Sequence, residues 1–382
     1  MTMAFDHIRN YAHQAAAFPS THEHDAIFLA AMQENYAFQY AHQPYVRALG
    51  QRYGFSPDDL QTPEDVYRIP PIFVETMKYH CFLSIPQSEV AMRLTSSGTG
   101  GQKTQALFDA QGVARIQTIA ARIFKDVGFC SDQPAGYLMF SYAREDAREM
   151  GTSWSDEQEM GCAPVREARW LLRKGTANGQ FDFDPQEAAR SLYELAQEGP
   201  IRMLGFPAFM FQTLMEMERM HLHVRVHPQS FVIAGGGWKN HAGTPMSQKE
   251  FARELEQRLG LPRSHVRDLY GMVEHGIPYC SCPEGHHHVP AFARVAVRHP
   301  VTLEQLPHNS EGLLHLLAPW NVAQPNCSVL STDLVRIKTG CPCGIPGEYL
   351  ATIRRGGNRK HKGCALSAQE ILDRIRSSRK GN

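Results

Sequence analysis

The sequence predicts an α/β protein with a largely parallel β-sheet, preceded by a helical region and followed by a β-rich end. Strand-like and helix-like segments alternate from about residue 89 to 352, which is typical of βαβ units. Residues 1 to about 88 carry a helical pattern instead. From Phe292 to Ile353, short apolar runs follow one another with little helix between them, which predicts the β-rich end.

The first 88 residues are predicted to form an N-terminal helical subdomain or lid. The stretch His22–Tyr53 is rich in Ala, Gln, Phe, Tyr and Leu. A connector with four prolines between Pro57 and Pro71 follows it, and such a connector separates this region from the next.

The predicted α/β core, residues 89–353, opens with a strand, Val90–Leu94, and a loop, Thr95–Lys103. Its best-signalled helix is Ser247–Gly260, because Ser247 and Glu250 form a capping box and Gly260 ends the helix. Further predicted helices are Ala110–Val127, Pro185–Glu198 and Leu204–Met220. Further predicted strands are Gly136–Tyr142, Ser230–Ala234 and His265–Leu269. Residues 354–382 are predicted to be a mobile basic tail that contains Cys364 and one amphipathic helix, Ser367–Ser377.

Composition excludes several classes of protein. Lys plus Arg (39) equals Asp plus Glu (39), which argues against a nucleic-acid or membrane-surface partner, since those partners select a basic excess. The N-terminus has no apolar segment of a secretory signal, and no apolar run is long enough to span a bilayer. We therefore expect a cytoplasmic protein whose nine cysteines are reduced thiols, metal ligands or nucleophiles.

The loop sequence LTSSGTGGQKT, Leu94–Thr104, carries the first sign of nucleotide chemistry. Glycines let backbone amides approach phosphate oxygens, and hydroxyls add further donors. A P-loop needs Gly immediately before its Lys, but Gln102 precedes Lys103, so that motif is absent. The loop alone predicts a phosphate binder, with a plain surface loop as the alternative.

Four motifs in order over about 240 residues resemble adenylate-forming enzymes, which include acyl-CoA ligases, luciferase and non-ribosomal adenylation domains. The first is the loop from Thr95 to Lys103, which looks like their phosphate loop. The others are Gly235-Gly236-Gly237-Trp238-Lys239 at a strand end, Tyr270-Gly271-Met272-Val273-Glu274, and Ser331-Thr332-Asp333-Leu334. The resemblance implies ATP and Mg²⁺ as cofactors and an acyl-adenylate as the intermediate.

The resemblance also assigns roles. Tyr270 would stack on adenine, Glu274 would hold Mg²⁺, and Asp333 would accept hydrogen bonds from the ribose. Tyr270 could instead be a core aromatic, Glu274 a surface carboxylate and Asp333 a turn residue. The remaining residues implied at the nucleotide are Thr95, Ser96, Ser97, Gly98, Thr99, Gly100, Gly235, Gly236, Gly237, Gly271, Arg354 and Arg355. Those expected to line the acid pocket are Gly205, Phe206, Phe209, Trp238 and Met272.

The chain departs from most adenylate-forming enzymes after Arg354, where fewer than thirty residues remain. We therefore expect the usual mobile C-terminal domain, with its lysine that assists adenylation, to be missing. Candidate replacements are Lys103, Lys239 and Lys362, of which we take Lys103 as the catalytic one.

Further shared segments are Ile69-Pro70 with Phe73 to Lys78 and Gly205-Phe206-Pro207-Ala208, besides the loop after Leu94 and the segment Gly235–Lys239. With them, over nearly its whole length, the chain looks most like the acyl-protein synthetases (LuxE type) of the bacterial luminescence fatty-acid reductase complex. In that family the acyl group passes from the adenylate to a cysteine near the C-terminus and then to a partner reductase. The matching residue here is Cys364. Arg354, Arg355 and four basic residues from Arg359 to Lys362 precede it, and cationic neighbours lower a thiol pKa. A buried structural thiol is the alternative.

A group of cysteines and histidines predicts a second centre. Cys280-Ser281-Cys282 is followed by His286-His287-His288 and, some fifty residues later, by Cys341-Pro342-Cys343. In a cytosolic protein this pattern indicates a structural tetrahedral zinc site, with unmetallated loop thiols as the alternative. Resemblance to phenylacetate-CoA-ligase-like enzymes implies Cys280, His288, Cys341 and Cys343 as ligands, with Cys282 as the competitor of Cys280.

The sequence thus predicts a ligase that activates a carboxylic acid, which we expect to be a fatty acid, as acyl-AMP. The acyl group would then pass to Cys364 and from there to a reductase. Two alternatives remain open. The acyl group could go to CoA or a carrier-protein thiol, or the chain could be a non-catalytic subunit of a reductase complex. The acid itself and the oligomeric state cannot be read from the sequence.

Overall fold

The structure is a computed structural model that describes residues 5–19, 23–96, 104–143, 145–147, 151–174, 181–236 and 246–355. Its α-helices are α1 (Asp6–Ala12), α2 (Glu23–His42), α3 (Pro44–Tyr53), α4 (Val74–Tyr79), α5 (Ala110–Asp126), α6 (Gly151–Met160), α7 (Pro185–Glu198), α8 (Pro207–Arg219) and α9 (Gln248–Leu259). Its first strands are β1 (Ile72–Phe73), β2 (Val90–Thr95), β3 (Gln105–Asp109), β4 (Ala135–Tyr142), β5 (Val165–Lys174), β6 (Phe181–Phe183), β7 (Ile201–Gly205) and β8 (Phe231–Gly235). The later strands are β9 (Val266–Tyr270), β10 (Tyr279–Cys280), β11 (His287–His288), β12 (Arg294–Arg298), β13 (Gln305–Leu306), β14 (Glu311–Leu317), β15 (Ser328–Thr339) and β16 (Glu348–Arg355).

The predicted parallel sheet is present and has seven strands in the order β10-β9-β8-β7-β4-β5-β6. Strands β5, β4, β7, β8 and β9 run parallel, and β6 and β10 add antiparallel edges. Every residue of β4 is buried, as expected for a central strand that helices cover on both faces. The α/β class predicted from the sequence is therefore confirmed.

A second seven-stranded sheet forms the predicted β-rich end. Its order is β11-β16-β15-β14-β12-β13, with antiparallel pairing throughout this path, and β1 adds in parallel to β15. The long strand β15 pairs with both β14 and β16, so that residues such as Val329 and Leu330 are fully buried. The N-terminal region thus supplies a strand as well as helices.

The N-terminal helices pack onto the second sheet through buried amide side chains. In α2, the Asn35 side-chain amide donates to the carbonyls of Pro319 and Asn321 at 2.7 and 2.8 Å. One turn later, Gln39 donates to the carbonyls of Val322 and Gln324 at 2.9 and 3.2 Å. These bonds satisfy carbonyls in an irregular buried segment, where an unpaired group would cost about 1–3 kcal/mol.

Two predicted elements differ from the structure. Leu204–Met220 is not one helix, because Leu204 belongs to β7 and α8 begins at Pro207, whose fixed φ suits the first helical turn. The loop after β2 leads into strand β3 rather than directly into a helix, so that β2 and β3 form an antiparallel hairpin. None of the helices in the described ranges is long and apolar enough to cross a membrane. The predicted domain boundaries at 88 and 353 stay predictions.

Gly205, the last residue of β7, occupies a position that requires glycine. Its φ is +114°, and a Cβ there would lie 2.5 Å from the Phe140 carbonyl oxygen. We expect Gly205→Ala to destabilise the protein by about 1–3 kcal/mol from the strained backbone, with the clash adding to this cost. A lowered unfolding midpoint in urea checks this.

Gly128→Ala is the matched control for that variant. Gly128 also has a positive φ, +82°, but a Cβ there would meet no described atom within 4 Å. It should therefore lose only the conformational part, about 1–2 kcal/mol. Equal losses for the two variants would contradict the steric account of Gly205.

Candidate active site

Two of the four motifs, together with Gly205, which is expected to line the acid pocket, lie at one edge of the parallel sheet. The carboxyl ends of β7, β8 and β9 carry Gly205, Gly235 and Tyr270. The register places Gly205 beside Ala234 and Gly235 beside Leu269, so these ends lie next to one another. Ligands of open α/β sheets bind outside the carboxyl ends of the strands, which makes this edge the candidate site.

Glycine at the end of β8 permits a close approach of backbone to an aromatic ring. Gly236 has a φ of +78°, and a Cβ there would lie 2.9 Å from Phe206 Cδ1. Phe206 itself is held by its backbone amide, which donates to the Phe140 carbonyl at 3.0 Å. The Gly205–Phe206 and Gly235–Gly236 segments therefore form one surface at this edge.

Tyr270 and Asp333 lie on different sheets and contact each other directly. The Tyr270 hydroxyl of β9 donates to Asp333 Oδ2 of β15 at 2.8 Å. Asp333 is fixed in turn because its backbone amide donates to Ser331 Oγ at 2.9 Å. Removal from water, together with the charge of Asp333, raises the pKa of Tyr270 well above its ordinary value. Tyr270 is thus a neutral donor that orients the carboxylate of Asp333.

Glu274 lies four residues beyond Tyr270 and is buried. Burial raises the pKa of its carboxyl, while the neighbouring Thr104 hydroxyl and the charge of Lys78 lower it in part. Lys78, in α4, pairs with Glu75 at 2.5 Å. The sequence patterns alone give Lys78 no role at this site, because only the fold brings α4 near Glu274. A carboxylate with one partial cationic partner is a suitable ligand for a hard divalent cation.

The base of the glycine-rich loop is a closed hairpin end. The Ser96 amide donates to the Thr104 carbonyl, and the Thr104 amide donates to Ser96 Oγ, both at 3.0 Å. Gly151, at the start of α6, lies between this base and the motif Tyr270–Glu274. A Cβ there would be 3.1 Å from Val273 Cγ2 and 3.9 Å from the Thr95 carbonyl. The ends of the loop therefore lie next to the segment Tyr270–Glu274.

Several predicted residues lie outside the described residues. They are Ser97, Gly98, Thr99, Gly100, Lys103, Gly237, Trp238, Lys239, Lys362 and Cys364. Of Arg355, the backbone is described and pairs with Asp333 in the β15–β16 register. The roles assigned to these residues stay predictions.

Other predicted site residues have structural contacts. Phe209 is fully buried, with its ring 4.6 Å from that of Phe183, so it packs in the core beneath the sheet edge, and its role in a pocket wall stays a prediction. Arg354, in β16, forms an ion pair with Glu311 and is largely exposed. Met272 packs against the main core, and its carbonyl accepts from Gly276 at 2.8 Å.

Four residues of the region predicted to bind zinc converge, and Cys282 takes the place expected for Cys280. Cys282, His288, Cys341 and Cys343 bring their ligand atoms within 4.8 Å of one another. Cys280 was expected in place of Cys282, but its side chain packs in the main hydrophobic core. Cys282 lies beyond the end of β10 in a turn, where its amide donates to the His286 carbonyl at 2.9 Å. That turn directs Cys282 towards Cys341.

The donor set and its spacing fit zinc. The Cys282 and Cys341 sulfurs are 3.7 Å apart, and His288 Nε2 is 3.3 Å from Cys343 Sγ. Two thiolates on a tetrahedral zinc, each about 2.3 Å from the metal, are separated by about 3.8 Å. Burial lowers the pKa of His288 to about 4, so its imidazole is neutral, as a ligand must be. We call these four residues the Cys/His cluster.

The Cys/His cluster joins the two sheets. Cys282 follows the edge strand β10 of the parallel sheet. His288 belongs to β11 of the second sheet, and Cys341 and Cys343 lie in the turn between β15 and β16. A metal held by all four would therefore fix the second sheet to the edge of the first, close to Tyr270 and Asp333. Four protein ligands would leave no open position, which is typical of a structural site.

Comparison with known proteins gives a consistent result. A family model described as acyl-protein synthetase, LuxE, matches residues 6–373. The long-chain-fatty-acid–luciferin-component ligase of Vibrio harveyi is 24% identical over 341 residues, which cover 88% of this chain and 86% of that protein. The ligase of the same name from Aliivibrio fischeri is 21% identical over 321 residues, covering 83% of this chain and 81% of that protein.

A solved structure shares the fold. The structure of 2-hydroxyisobutyryl-CoA ligase in complex with 2-HIB-AMP and CoA superposes with a TM-score of 0.68 at 18% identity. The match covers 90% of this chain and 70% of that one. The fold predicted from the four motifs, that of adenylate-forming enzymes, is therefore confirmed.

The Cys/His cluster makes a discriminating pair of variants. We expect Cys282→Ser to lose bound zinc, because it removes one of the four converging ligands, and Cys280→Ser to retain it. Metal content per protein, measured by inductively coupled plasma mass spectrometry after purification without added metal, checks this. Retention of zinc by Cys282→Ser with loss by Cys280→Ser would restore the ligand set expected from the sequence.

Proposed function

Because this chain belongs to the acyl-protein synthetase (LuxE) family and is thus an acyl-activating ligase, we propose that it converts a fatty acid to acyl-AMP and then acylates its own Cys364. The observation that carries the first step is the Tyr270–Asp333 hydrogen bond at the carboxyl edge of the parallel sheet. It supports a nucleotide site there, with Glu274 and the base of the glycine-rich loop beside it.

The first step sets one anion against another. A carboxylate oxygen of the acid attacks the α-phosphorus of ATP, and the bond from that phosphorus to the pyrophosphate oxygen breaks. No proton has to move, so the site must neutralise charge and align the groups rather than supply a general base. Asp333 would accept from the ribose hydroxyls, and the Tyr270 ring would stack on adenine.

Glu274 and Lys78 would act on the phosphates. Glu274 would hold Mg²⁺, which supplies a positive charge between phosphate oxygens when bound. Lys78 lies on α4 and already acts electrostatically on Glu274, so it can add positive charge on the same side. Lys78 thus joins Lys103, Lys239 and Lys362 as a candidate for the role of the lysine that most adenylate-forming enzymes carry on a C-terminal domain.

The second step would move the acyl group to sulfur. The Cys364 thiolate attacks the carbonyl carbon of acyl-AMP, a thioester forms, and AMP leaves with the bonding electrons. The basic residues that precede Cys364 in the sequence favour the thiolate. From Cys364 the acyl group would pass to a partner reductase, a role that the family and the luciferin-component ligases named above support.

A fatty acid is the substrate we favour. The relatives from Vibrio harveyi and Aliivibrio fischeri are named for long-chain fatty acids. The aromatic and thioether side chains Phe206, Trp238 and Met272 suit an apolar chain. The cysteines in the described ranges are free thiols, which supports a cytoplasmic protein. Zinc at the Cys/His cluster would be structural, because four protein ligands fill its coordination sphere.

The adenylation step predicts pyrophosphate release that depends on a fatty acid. Asp333→Asn should raise the KM for ATP about tenfold to a hundredfold, because a hydrogen bond to a charged group contributes about 1.5–3 kcal/mol. A coupled pyrophosphate assay across acids of increasing length checks this. ATP binding without pyrophosphate release for any acid would instead identify a non-catalytic subunit.

The transfer step predicts a covalent acyl-enzyme. With ATP and a fatty acid, the intact mass of the protein should rise by that of one acyl group, and Cys364→Ser should abolish the rise while pyrophosphate release continues. Cys81→Ser, which alters an exposed thiol elsewhere, is the control and should acylate normally.

Two results would contradict the transfer step. One is an acylated Cys364→Ser protein, and the other is formation of acyl-CoA at wild-type rate by that variant. The second result would indicate CoA, or a carrier-protein thiol, as the acceptor.

A further inference from the structure

His287 lies between the Cys/His cluster and the Tyr270–Asp333 pair and belongs to neither. Its Nε2 is 3.1 Å from Asp268 Oδ2, and its side chain is only 10% exposed. The His287 ring also meets the Tyr270 ring edge to face, with centroids 6.3 Å apart and an interplanar angle of 71°. One side chain thus contacts both Asp268 and Tyr270, which are two positions apart in β9 and therefore lie on the same face of that strand.

The backbone holds His287 in this position from both sides. His287 pairs with Leu350 of β16 and forms a bridge to Ser281. Ser281 is itself fixed to β9, because its amide donates to the Asp268 carbonyl at 2.8 Å and its Oγ accepts from the Asp268 amide at 2.7 Å. The bridge between Ser281 and His287 is therefore the backbone connection between the edges of the two sheets.

Each residue of this bridge is followed directly by a residue of the Cys/His cluster. Cys282 follows Ser281, and His288 follows His287. In an extended segment neighbouring side chains point to opposite sides. His288 therefore faces the cluster while His287 faces Asp268 and Tyr270. Any displacement of Cys282 relative to His288 would shift the bridge and with it the ring of His287.

We propose that His287 is a positioning residue that transmits the arrangement of the Cys/His cluster to the Tyr270–Asp333 pair. Its hydrogen bond with Asp268 and its edge contact with the Tyr270 ring set the orientation of that ring, and the Tyr270 hydroxyl orients Asp333. The proposal rests on the proposed function, since it gives the Tyr270–Asp333 pair the task of binding the nucleotide. It adds that the arrangement of the Cys/His cluster determines affinity for ATP.

The proposal predicts a change confined to the nucleotide. His287→Ala should raise the KM for ATP, and the Kd for ATP measured by calorimetry, about tenfold, with the KM for the fatty acid unchanged. His287→Gln, whose amide can still donate to Asp268 but which lacks the ring that meets Tyr270, should raise the KM for ATP less than His287→Ala does. Cys282→Ser, which loses zinc, should raise the KM for ATP at least as much as His287→Ala.

His308→Ala is the matched control. His308 is also a histidine of the second sheet region with an acidic partner, Glu348, at 2.8 Å, but it is 57% exposed and contacts neither Asp268 nor Tyr270 in the described structure. It should leave the KM for ATP unchanged. Zinc content is measured for each variant, so that loss of the metal is separated from loss of the His287 side chain.

Three outcomes would overturn the proposal: an unchanged KM for ATP in folded His287→Ala, an equal rise in His308→Ala, or a zinc-free Cys282→Ser protein with wild-type affinity for ATP. If His287→Ala does not fold, a folded His287→Gln protein with wild-type affinity for ATP overturns it as well. A wild-type protein that binds ATP but releases no pyrophosphate would refute only the proposed adenylation step. The role of His287 would still be tested, because calorimetry compares the Kd for ATP of the variants without catalysis.

Discussion

The hydrogen bond from Tyr270 to Asp333 joins the two large sheets, and the geometry of the site depends on that junction. Tyr270 ends a strand of the parallel sheet, and Asp333 lies within the long strand β15 of the second sheet. Neither side chain could be placed by its own sheet alone. The Ser281–His287 bridge and the Cys/His cluster lie beside this bond and fix the same two sheets to each other. A site assembled from two bodies needs such fixation, since small displacements weaken directional contacts.

Buried polar groups, rather than apolar area alone, specify how the parts fit. The amides of Asn35 and Gln39 match the carbonyls of an irregular segment, and Glu274 is buried within reach of Thr104 and of the charge of Lys78. Such groups destabilise any packing in which they lose their partners. Gly205 also specifies the packing, because it lets the chain turn at a point where a side chain would not fit. These constraints act at the positions that hold the candidate site in place.

Much of the fold and the main positions of the site could be predicted from the sequence. The predicted strand Gly136–Tyr142 is a largely apolar run, and Gly235 and Tyr270 directly follow strands predicted from the sequence. Local patterns therefore suffice to place these elements. The expected ligand Cys280 differs from Cys282, which converges with the other three residues, because a C-x-C spacing leaves the two cysteines equivalent until the end of β10 and the following turn are known. Lys78 was missed since nearly two hundred residues separate it from Glu274. Phe209 shows a further limit: an apolar residue after a site glycine can belong to the core as readily as to a pocket.

The bonds between α2 and the segment after β14 have a consequence for how the protein is made. Asn35 and its carbonyl partner in Pro319 are 284 residues apart in the chain. At about 5–20 residues per second, a ribosome needs roughly 15–60 seconds to add that length. During this time the N-terminal helices are outside the ribosome without the partners that satisfy their buried amides. Their final docking must therefore wait until almost the whole chain has been translated.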